Sequence, residues 1–313
     1  MNEGLTPAPV AVIIPCRNMA AFLGRAIDSA LAQRPPPAEI VVIDDRSTDD
    51  PAAVIARYGG RVRLIPGPGK GSAIARNVGI LATSGEFVAF LDADDHWREG
   101  HLAQALAALT APAVGFTCSN WRHAADGHEG EPLFGSYYTR MTSGDVFTAL
   151  LRENWVLTSS VVVRRAVLAL SGVFDPALIG AQDYDLWLRL ARVTELATLP
   201  QPTAVKHGHA GNITASPKYA YHLARVWSTI RGRYTDLPGE DLSYIRRREA
   251  EALLGAGLQA IRDNEPARAR AYLRPYLRLR PASLHGWLAL VLSALPAPVV
   301  RGLKSLKGSR AAA

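Results

Sequence analysis

The sequence predicts an α/β protein with a mostly parallel sheet, helices on both faces, and a helical C-terminal extension. Between Val10 and Leu91, short apolar runs rich in β-branched residues alternate with segments whose apolar residues recur at helical spacing. After Pro217 the apolar residues recur mainly at helical spacing. We therefore expect a sheet domain over 1–217 and a helical extension with a basic tail over 218–313.

In chain order, the patterns predict the following elements. Strands are expected over 10–14, 39–43, 62–65 and 86–91, with helices over 20–31 and 73–81 and a short helix that ends at Tyr58. Further along, strands are expected over 113–118 and 158–164, and helices over 146–151, 184–192, 219–233, 242–261 and 266–279.

Composition limits the class of protein. The chain has 313 residues, of which 48% are hydrophobic and 20% charged, as in globular proteins with a substantial core. With only Cys16 and Cys118, a disulfide framework is excluded and a reducing, cytoplasmic setting is expected. The residues before Val10 include no Lys or Arg, so we expect no secretory signal. The apolar stretches are too short for a membrane-spanning helix, so we expect none.

The net charge of +7 comes from the C-terminal end. Residues 240–313 hold 13 Lys or Arg and 6 Asp or Glu, whereas residues 1–239 hold 22 of each. This asymmetry predicts a neutral body with a basic tail that meets an anionic partner. Because the body has no basic excess, we expect no nucleic-acid binding.

Polar residues follow three of the predicted strands. They are Arg17 after Pro15, the pair Asp44 and Asp45, and the acids Asp92, Asp94 and Asp95. Ligands of parallel sheets bind beyond the carboxyl ends of the strands, so these residues form a candidate site. Three acids so close together suit a divalent cation that carries ligand phosphates, although they could instead cap the helix beginning near Glu99.

Three further segments each have a functional and a structural interpretation. Gly67–Gly71 precedes a helix and could approach a phosphate, or be an ordinary strand-to-helix loop. Asp183 lies just before an apolar helix, where a helix N-cap is the simpler interpretation. His207 and His209 are separated by one residue, so one of them could supply an imidazole to a metal or an anion.

The tail has two open interpretations. Leu284–Leu295 is apolar, includes Trp287, and is followed by spaced cations up to residue 310. This pattern is typical of peripheral membrane contact, here through 284–310. It is equally typical of a last core helix followed by a solvated tail.

Six segments, taken in order, resemble glycosyltransferase family 2, a group of nucleotide-sugar transferases with the GT-A fold. The resemblance covers about residues 8–215. The segments are the opening strand 12–18, the Asp-Asp-x-Ser-Thr-Asp segment 41–49, the Ala-Arg-Asn-x-Gly helix 71–79, the Asp-x-Asp strand 87–97, the Gly-x-Phe-Asp turn 172–175 and the Asp-x-x-Leu helix 183–190.

The resemblance implies an inverting transfer of a sugar from a nucleotide-diphosphate sugar, with a UDP-sugar favoured, to a hydroxyl of a glycan or lipid-linked acceptor. Such a reaction serves the synthesis of cell-surface polysaccharide or glycoconjugate. It implies Asp183 as the general base and a Mn²⁺ or Mg²⁺ ion held by Asp94 and His209. The implied donor-binding residues are Pro15, Arg17, Asp44, Asp45, Arg76 and Asp92.

The chain departs from the family pattern at three single positions and at the pair Lys206–His207, which replaces Tyr-Arg. Arg17 replaces an aromatic residue, Arg46 a glycine, and Gln182 the acid beside the implied base. Gln182 favours an alternative, a catalytically silent GT-A scaffold in a glycan-assembly complex. Because Asp92, Asp94 and Asp183 are retained, we expect an enzyme rather than the scaffold. We expect it in the cytoplasm, and peripheral contact with the inner face of the membrane is one of the two open interpretations of its tail.

Overall fold

A computed structural model describes residues 6–125, 128–132, 141–208 and 216–295. The chain divides into two compact units, Met1–Ala210 and Gly211–Ala313. The strands are β1 Ala8–Cys16, β2 Pro37–Asp44, β3 Arg63–Pro66, β4 Phe87–Phe90, β5 His96–Trp97, β6 Val114–Ala125, β7 His128–Pro132, β8 Val161–Arg164 and β9 Glu195–His207.

The helices of the first unit are α1 Ala20–Leu31, α2 Pro51–Ala56, α3 Ser72–Leu81, α4 His101–Ala108, α5 Phe147–Arg152, α6 Arg165–Ser171 and α7 Gln182–Ala191, with a 3₁₀ turn at Thr158–Ser160. Those of the second unit are α8 Tyr219–Arg233, α9 Gly239–Arg262, α10 Pro266–Leu279 and α11 Leu284–Leu292.

The first unit is built on one sheet with the strand order β3-β2-β1-β4-β8-β6-β9-β5, and β7 pairs with β6. The first four strands of this order are parallel, as are β6 and β9. Strand β8 is antiparallel to both β4 and β6, and β5 is antiparallel to β9. The α/β fold class expected from the sequence is confirmed, with the antiparallel pairs confined to the second half of the sheet.

Helices cover both faces of the sheet at β1. Val12 and Ile14 point to one face and pack in a core cluster with Leu23 of α1. Ile13 points to the other face, towards Gly79 of α3. A Cβ on Gly79 would lie 2.4 Å from Ile13 Cγ2, so only glycine allows α3 this close to the sheet.

The parallel register brings the polar strand ends to one edge. Cys16 at the end of β1 is opposite Asp44 at the end of β2, and the Asp45 N–H donates to the Cys16 carbonyl at 2.8 Å. On the other side of β1, the Leu91 N–H donates to the Ile13 carbonyl at 3.1 Å, which fixes where the chain leaves β4. The candidate residues after β1, β2 and β4 therefore follow three adjacent strands.

The second unit is helical. Helix α9 packs against both α8 and α10, and Ala250 and Ala256 of α9 lie in a cluster with Tyr276 and Leu277 of α10. Among the residues that the structure describes, we find no helix with both the length and the apolarity needed to cross a membrane.

His101, the first residue of α4, makes the stability of the fold depend on pH. It is fully buried, its ring stacks on Trp97 with centroids 4.5 Å apart, and its Nδ1 lies 2.8 Å from Thr203 Oγ1. Burial lowers the pKa of His101 from 6.5 to about 3. Between these values the unfolded chain binds a proton that the folded chain does not, so stability rises with pH across this window.

We therefore expect the free energy of unfolding to fall as the pH drops from 6.5 towards 3, with His101 contributing at most about 1.4 kcal/mol per pH unit. His101→Phe keeps an aromatic ring at Trp97 and removes the titration. Urea unfolding of both proteins from pH 7 to pH 4 measures the difference, and parallel pH curves would contradict the account.

Candidate active site

Three carboxylates follow β4 and face one another. The ligand oxygens of Asp92, Asp94 and Asp95 all lie within 4.8 Å of one another. Asp92 and Asp94 are half-buried, whereas Asp95 is 2% exposed. Burial, together with the charges of Asp94 and Asp92, raises the pKa of Asp95 well above its usual range. The predicted acidic cluster thus exists, and Asp95, to which the motif assigned no role, is its buried member.

These acids do not cap a helix. Helix α4 begins at His101 after Gly100, and no side chain caps its first turn. The capping alternative for this segment is therefore wrong.

The buried 3₁₀ turn Thr158–Ser160 connects the acidic cluster to Asp183. Ser159 Oγ donates to Asp95 Oδ2 at 2.5 Å and accepts from the Asp92 N–H at 3.1 Å. Thr158 Oγ1 donates to Asp183 Oδ2 at 3.0 Å. Two adjacent hydroxyl side chains thus hold carboxylates from two distant segments. The sequence contained only one signal for this turn, the hydroxyl run before the apolar strand, and we expected a continuous strand over 158–164 instead.

Asp183 is inside helix α7. The N-cap is Ala181, which has a positive φ of 54° and no side-chain cap, so the N-cap interpretation of Asp183 is wrong. Asp183 Oδ1 accepts from the N–H of Tyr184 at 2.9 Å. Within the described part of the chain, each Asp183 oxygen thus accepts one hydrogen bond, and a carboxylate oxygen can accept more than one. The residue is half-buried.

Arg76 lies inside α3 and is 4% exposed. It forms an ion pair with Asp92, and its guanidinium lies 5.3 Å from the centre of the Phe174 ring. In the part of the chain that the structure describes, its Nε and Nη1 have no hydrogen-bond partner. A buried guanidinium with two unused nitrogens can bind an anion there, since unpaired buried donors are costly.

Hydrogen bonds from α3 hold two other motif segments in place. The Asn77 side chain donates to the Phe174 carbonyl at 2.8 Å and accepts from the Phe174 N–H at 3.0 Å. Gln182 Nε2 donates to Ser72 Oγ at 2.9 Å, which ties the start of α7 to the start of α3. Gln182, which replaces an acid of the family pattern, is thus a buried neutral link between these helices.

Asp45 is 2% exposed, and its carboxylate organises the Gly67–Gly71 loop. Oδ1 accepts from the N–H groups of Gly69 at 2.7 Å and Lys70 at 3.2 Å, and Oδ2 accepts from Gly71 at 2.7 Å. The loop that was a candidate phosphate loop therefore directs three of its N–H groups to Asp45 rather than outwards.

We expect Asp45→Ala to lower the free energy of unfolding by about 2–4 kcal/mol, because three backbone donors lose their acceptor. Asp44→Ala is the matched control, since the half-buried Asp44 carboxylate accepts from the Ser47 N–H at 2.8 Å. Urea unfolding measures both. If Asp45→Ala costs no more than the control, this function of Asp45 is refuted.

The remaining donor-site candidates surround the ends of β1 and β2. Pro15 is half-buried and Arg17 is exposed. Next to them, Asn18 Oδ1 accepts from the Thr48 N–H at 2.7 Å, which joins the two loops. Arg46 has a φ of 62°, a left-handed conformation that glycine adopts without strain, so the glycine usual at this position has a backbone reason.

Of the two histidine candidates, the structure describes the position of His207. The His207 N–H donates to Asp95 Oδ1 at 3.1 Å, and its Nε2 lies 2.9 Å from His96 Nδ1. His207 therefore lies at the acidic cluster. His209, predicted as a metal ligand, lies outside the described residues.

The acidic cluster fits a divalent cation chemically. Three carboxylates within 4.8 Å supply the hard oxygen ligands that Mg²⁺ and Mn²⁺ prefer. In the sequence, Asp94 lies between Asp92 and Asp95. Asp92 forms an ion pair with Arg76, and Asp95 accepts a hydrogen bond from Ser159.

Comparison with known sequences gives several matches. Residues 11–152 match the model of glycosyl transferase family 2. The succinoglycan biosynthesis protein ExoU of Rhizobium meliloti is 28% identical over 88% of this chain and 78% of its own length. An Escherichia coli glucosyltransferase, WfgD, whose name specifies UDP-Glc and a GlcNAc-diphosphoundecaprenol acceptor, is 23% identical over 75% of this chain and 90% of its own length.

Other matched relatives are longer than this chain. It covers 38% of an uncharacterized glycosyltransferase of Rickettsia felis and 54% of another from Nostoc sp.. The chain thus spans about half the length of these relatives or less.

Solved structures show the same fold. TarS of S. aureus in complex with UDP-GlcNAc superposes with a TM-score of 0.65 at 19% identity, over 86% of this chain and 81% of that one. The mannosyltransferase PcManGT of Pyrobaculum calidifontis, in complex with GDP-Man and Mn²⁺, gives a TM-score of 0.58 at 21% identity, over 94% and 89%. Residues 11–152 of the chain are thus similar to glycosyl transferase family 2, and the solved structures show that the chain shares its fold with TarS and PcManGT.

Proposed function

We propose that this chain transfers a sugar from a nucleotide-diphosphate donor, with a UDP-sugar favoured, to a hydroxyl of a glycan or lipid-linked acceptor, with inversion. One observation carries the proposal: Asp183 and the acidic cluster are held by adjacent hydroxyls of the same buried turn. A proton acceptor and a candidate cation site are thereby fixed to one rigid element.

The donor diphosphate would bind at Asp94 and Arg76. The unused Nε and Nη1 of the buried Arg76 offer two charge-assisted hydrogen bonds to phosphate oxygens. Asp94 and Asp92, with His209 in the chain beyond the described residues, would hold a Mn²⁺ or Mg²⁺ ion. Such an ion, when bound, neutralises the negative charge of the leaving diphosphate. Pro15, Arg17 and Asp44 would contact the base and ribose of the donor. Asp45 would contribute to donor binding by holding the Gly67–Gly71 loop in place through its three hydrogen bonds.

Asp183 would act as the general base. As the acceptor oxygen attacks the anomeric carbon, its proton moves to an oxygen of the Asp183 carboxylate, and the bond from that carbon to the diphosphate oxygen breaks. The diphosphate leaves with the electron pair. A single displacement of this kind inverts the anomeric configuration and forms no covalent sugar–protein intermediate.

The names of similar proteins support the donor and acceptor classes. WfgD uses UDP-Glc and a diphosphoundecaprenol-linked sugar, and TarS binds UDP-GlcNAc. We infer from them that this chain takes part in polysaccharide or glycoconjugate synthesis at the cytoplasmic face of a membrane.

A transfer assay with the full chain tests the proposal. Mn²⁺, GlcNAc-diphosphoundecaprenol and either UDP-glucose or UDP-GlcNAc are combined, and both UDP release and sugar in the extracted lipid are measured. We expect UDP release to rise at least about tenfold when the acceptor is added. We also expect NMR of the product to show that the anomeric configuration of the transferred sugar is opposite to that in the donor. Binding of the donor without release of UDP would contradict the proposal and favour the silent scaffold.

A further inference from the structure

The last described helix, α11, presents large apolar side chains to solvent. Leu284, Trp287, Leu288 and Val291 are 86%, 50%, 60% and 58% exposed. Their spacing of three and four residues places them on one side of the helix, which we call the apolar face. On the opposite side, the small residues Gly286 and Ala289 are buried. Four of the large residues therefore point out, and the helix packs on the protein through its small residues and the partly buried Leu290. In a helix stabilised by burial of its large side chains, those four would face the protein.

Packing fixes this orientation. A Cβ on Gly286 would lie 2.4 Å from Cε1 of Tyr276, so α11 approaches α10 too closely for any larger residue. The Tyr276 hydroxyl lies 2.8 Å from Ser283 Oγ at the start of α11, and Arg270 Nη1 donates to the Ser293 carbonyl at 2.9 Å at its end. Rotation of α11 to bury Leu284 and Leu288 would place these side chains where a Cβ already clashes.

The sequence around the apolar face is strongly basic. From Pro266 to the end of the sequence, the chain has nine Lys or Arg and no Asp or Glu. The nine are Arg268, Arg270, Arg274, Arg278, Arg280, Arg301, Lys304, Lys307 and Arg310. Arg274 and Arg278 are exposed on α10, the helix against which α11 packs. Anionic lipid headgroups attract such a segment, because each cation near the surface contributes to binding.

Trp287 also fits an interface between water and lipid. Its indole N–H donates to the Pro281 carbonyl at 2.9 Å. The polar edge of the ring is thus satisfied within the protein, while half of the side chain remains exposed. Tryptophan with one polar and one apolar edge is enriched where protein meets the headgroup region of a bilayer.

We propose that the apolar face of α11 docks on an anionic lipid bilayer, with the helix parallel to the surface. The apolar side chains would enter the acyl boundary, and the exposed Arg274 and Arg278 of α10 would contact phosphate headgroups. A second copy of this chain is a poorer occupant, since it would bring the same net positive segment against the first. The inference does not depend on the proposed transfer reaction.

Sedimentation of the full chain with vesicles tests this inference. One set of vesicles is pure phosphatidylcholine, and the other contains about one third phosphatidylglycerol. We expect binding to the anionic vesicles to be at least about tenfold tighter than to the neutral ones, and to weaken with added salt.

Matched variants locate the contact. Leu284→Glu/Leu288→Glu is expected to weaken binding to the anionic vesicles at least about tenfold. Leu81→Glu/Leu170→Glu, which alters two leucines that are 86% and 75% exposed in the first unit, is expected to bind like the unaltered chain. Circular dichroism checks that each variant is folded, and Leu284→Ser/Leu288→Ser replaces the glutamate variant if that one unfolds.

Three results would overturn the inference. The first is no binding to the anionic vesicles, and the second is equal binding by the Leu284/Leu288 variant. The third is a dimer, seen by light scattering without lipid, that the Leu284/Leu288 variant abolishes, because a second copy would then cover the apolar face.

Discussion

Asp183→Asn is expected to lower the turnover of the transfer reaction by about a thousandfold and to leave donor binding unchanged. Asn has the same size: its side-chain oxygen can accept from the Tyr184 N–H in place of Asp183 Oδ1, and its NH2 group can donate to Thr158 Oγ1, which lies 3.0 Å from Asp183 Oδ2. Its neutral amide cannot take the proton of an attacking hydroxyl. The predicted loss is therefore confined to the step in which that proton moves.

Turnover and donor affinity of Asp183→Asn are measured separately, by UDP release and by calorimetric titration. Asp50→Asn is the matched control: the exposed Asp50 caps α2 by accepting from the Ala53 N–H at 3.0 Å, and Asn caps equally well. Turnover of Asp183→Asn within about threefold of the unaltered chain would remove Asp183 from the mechanism.

Asp94→Ala is expected to weaken donor binding in the presence of Mn²⁺ by about a hundredfold. Asp94 is half-buried, and its carboxylate belongs to the group whose oxygens lie within 4.8 Å of one another. Without that carboxylate, the remaining acids still pair with Arg76 and Ser159, so the local fold is expected to persist. In the absence of Mn²⁺, the variant and the unaltered chain are expected to bind the donor alike.

Glu99→Ala is the matched control, since Glu99 is an exposed acid just beyond the cluster. Calorimetric titration of UDP and GDP into both variants, with and without Mn²⁺, gives the comparison. An Asp94→Ala protein that keeps the full effect of Mn²⁺ would show that the cation binds elsewhere.

Much of the fold was predictable because local signals agreed with packing. Helices 20–31, 219–233 and 266–279 have the bounds that their apolar spacing predicts. The structure extends the predicted strands 10–14 and 39–43 to Ala8–Cys16 and Pro37–Asp44. It shifts the third strand to Arg63–Pro66 and shortens the fourth to Phe87–Phe90. Strand β9 was not predicted, because Pro200 and Pro202 interrupt its apolar pattern and it is held by pairing with β6.

The candidate site was predictable only in part, because long-range hydrogen bonds decide it. Local sequence favoured Asp183 as an N-cap, yet the helix begins earlier, after Ala181, and Thr158 bonds the carboxylate across 25 residues of sequence. Likewise, Ser159 belongs to a 3₁₀ turn because it bonds Asp95 and the Asp92 backbone. No periodic pattern in 158–164 contains that information.

Asp45 and Gln182 show the same limit. The motif marks Asp45 as a donor-site residue, whereas its three backbone hydrogen bonds reveal a direct function in holding a loop. Gln182 interrupts the acidic pattern of the family, and only the structure shows that its amide links α7 to Ser72 of α3.

The central claim is that the acidic cluster and Arg76 form a metal-dependent site for a nucleoside diphosphate. A thermal-shift panel of the full chain with UDP, GDP and their sugar derivatives, each with and without Mn²⁺, tests it most directly. A ligand that binds only the folded state raises the unfolding temperature in proportion to its affinity and concentration. We predict a shift with one nucleotide that requires Mn²⁺. Shifts of equal size with and without Mn²⁺, or no shift with any nucleotide, would contradict the claim.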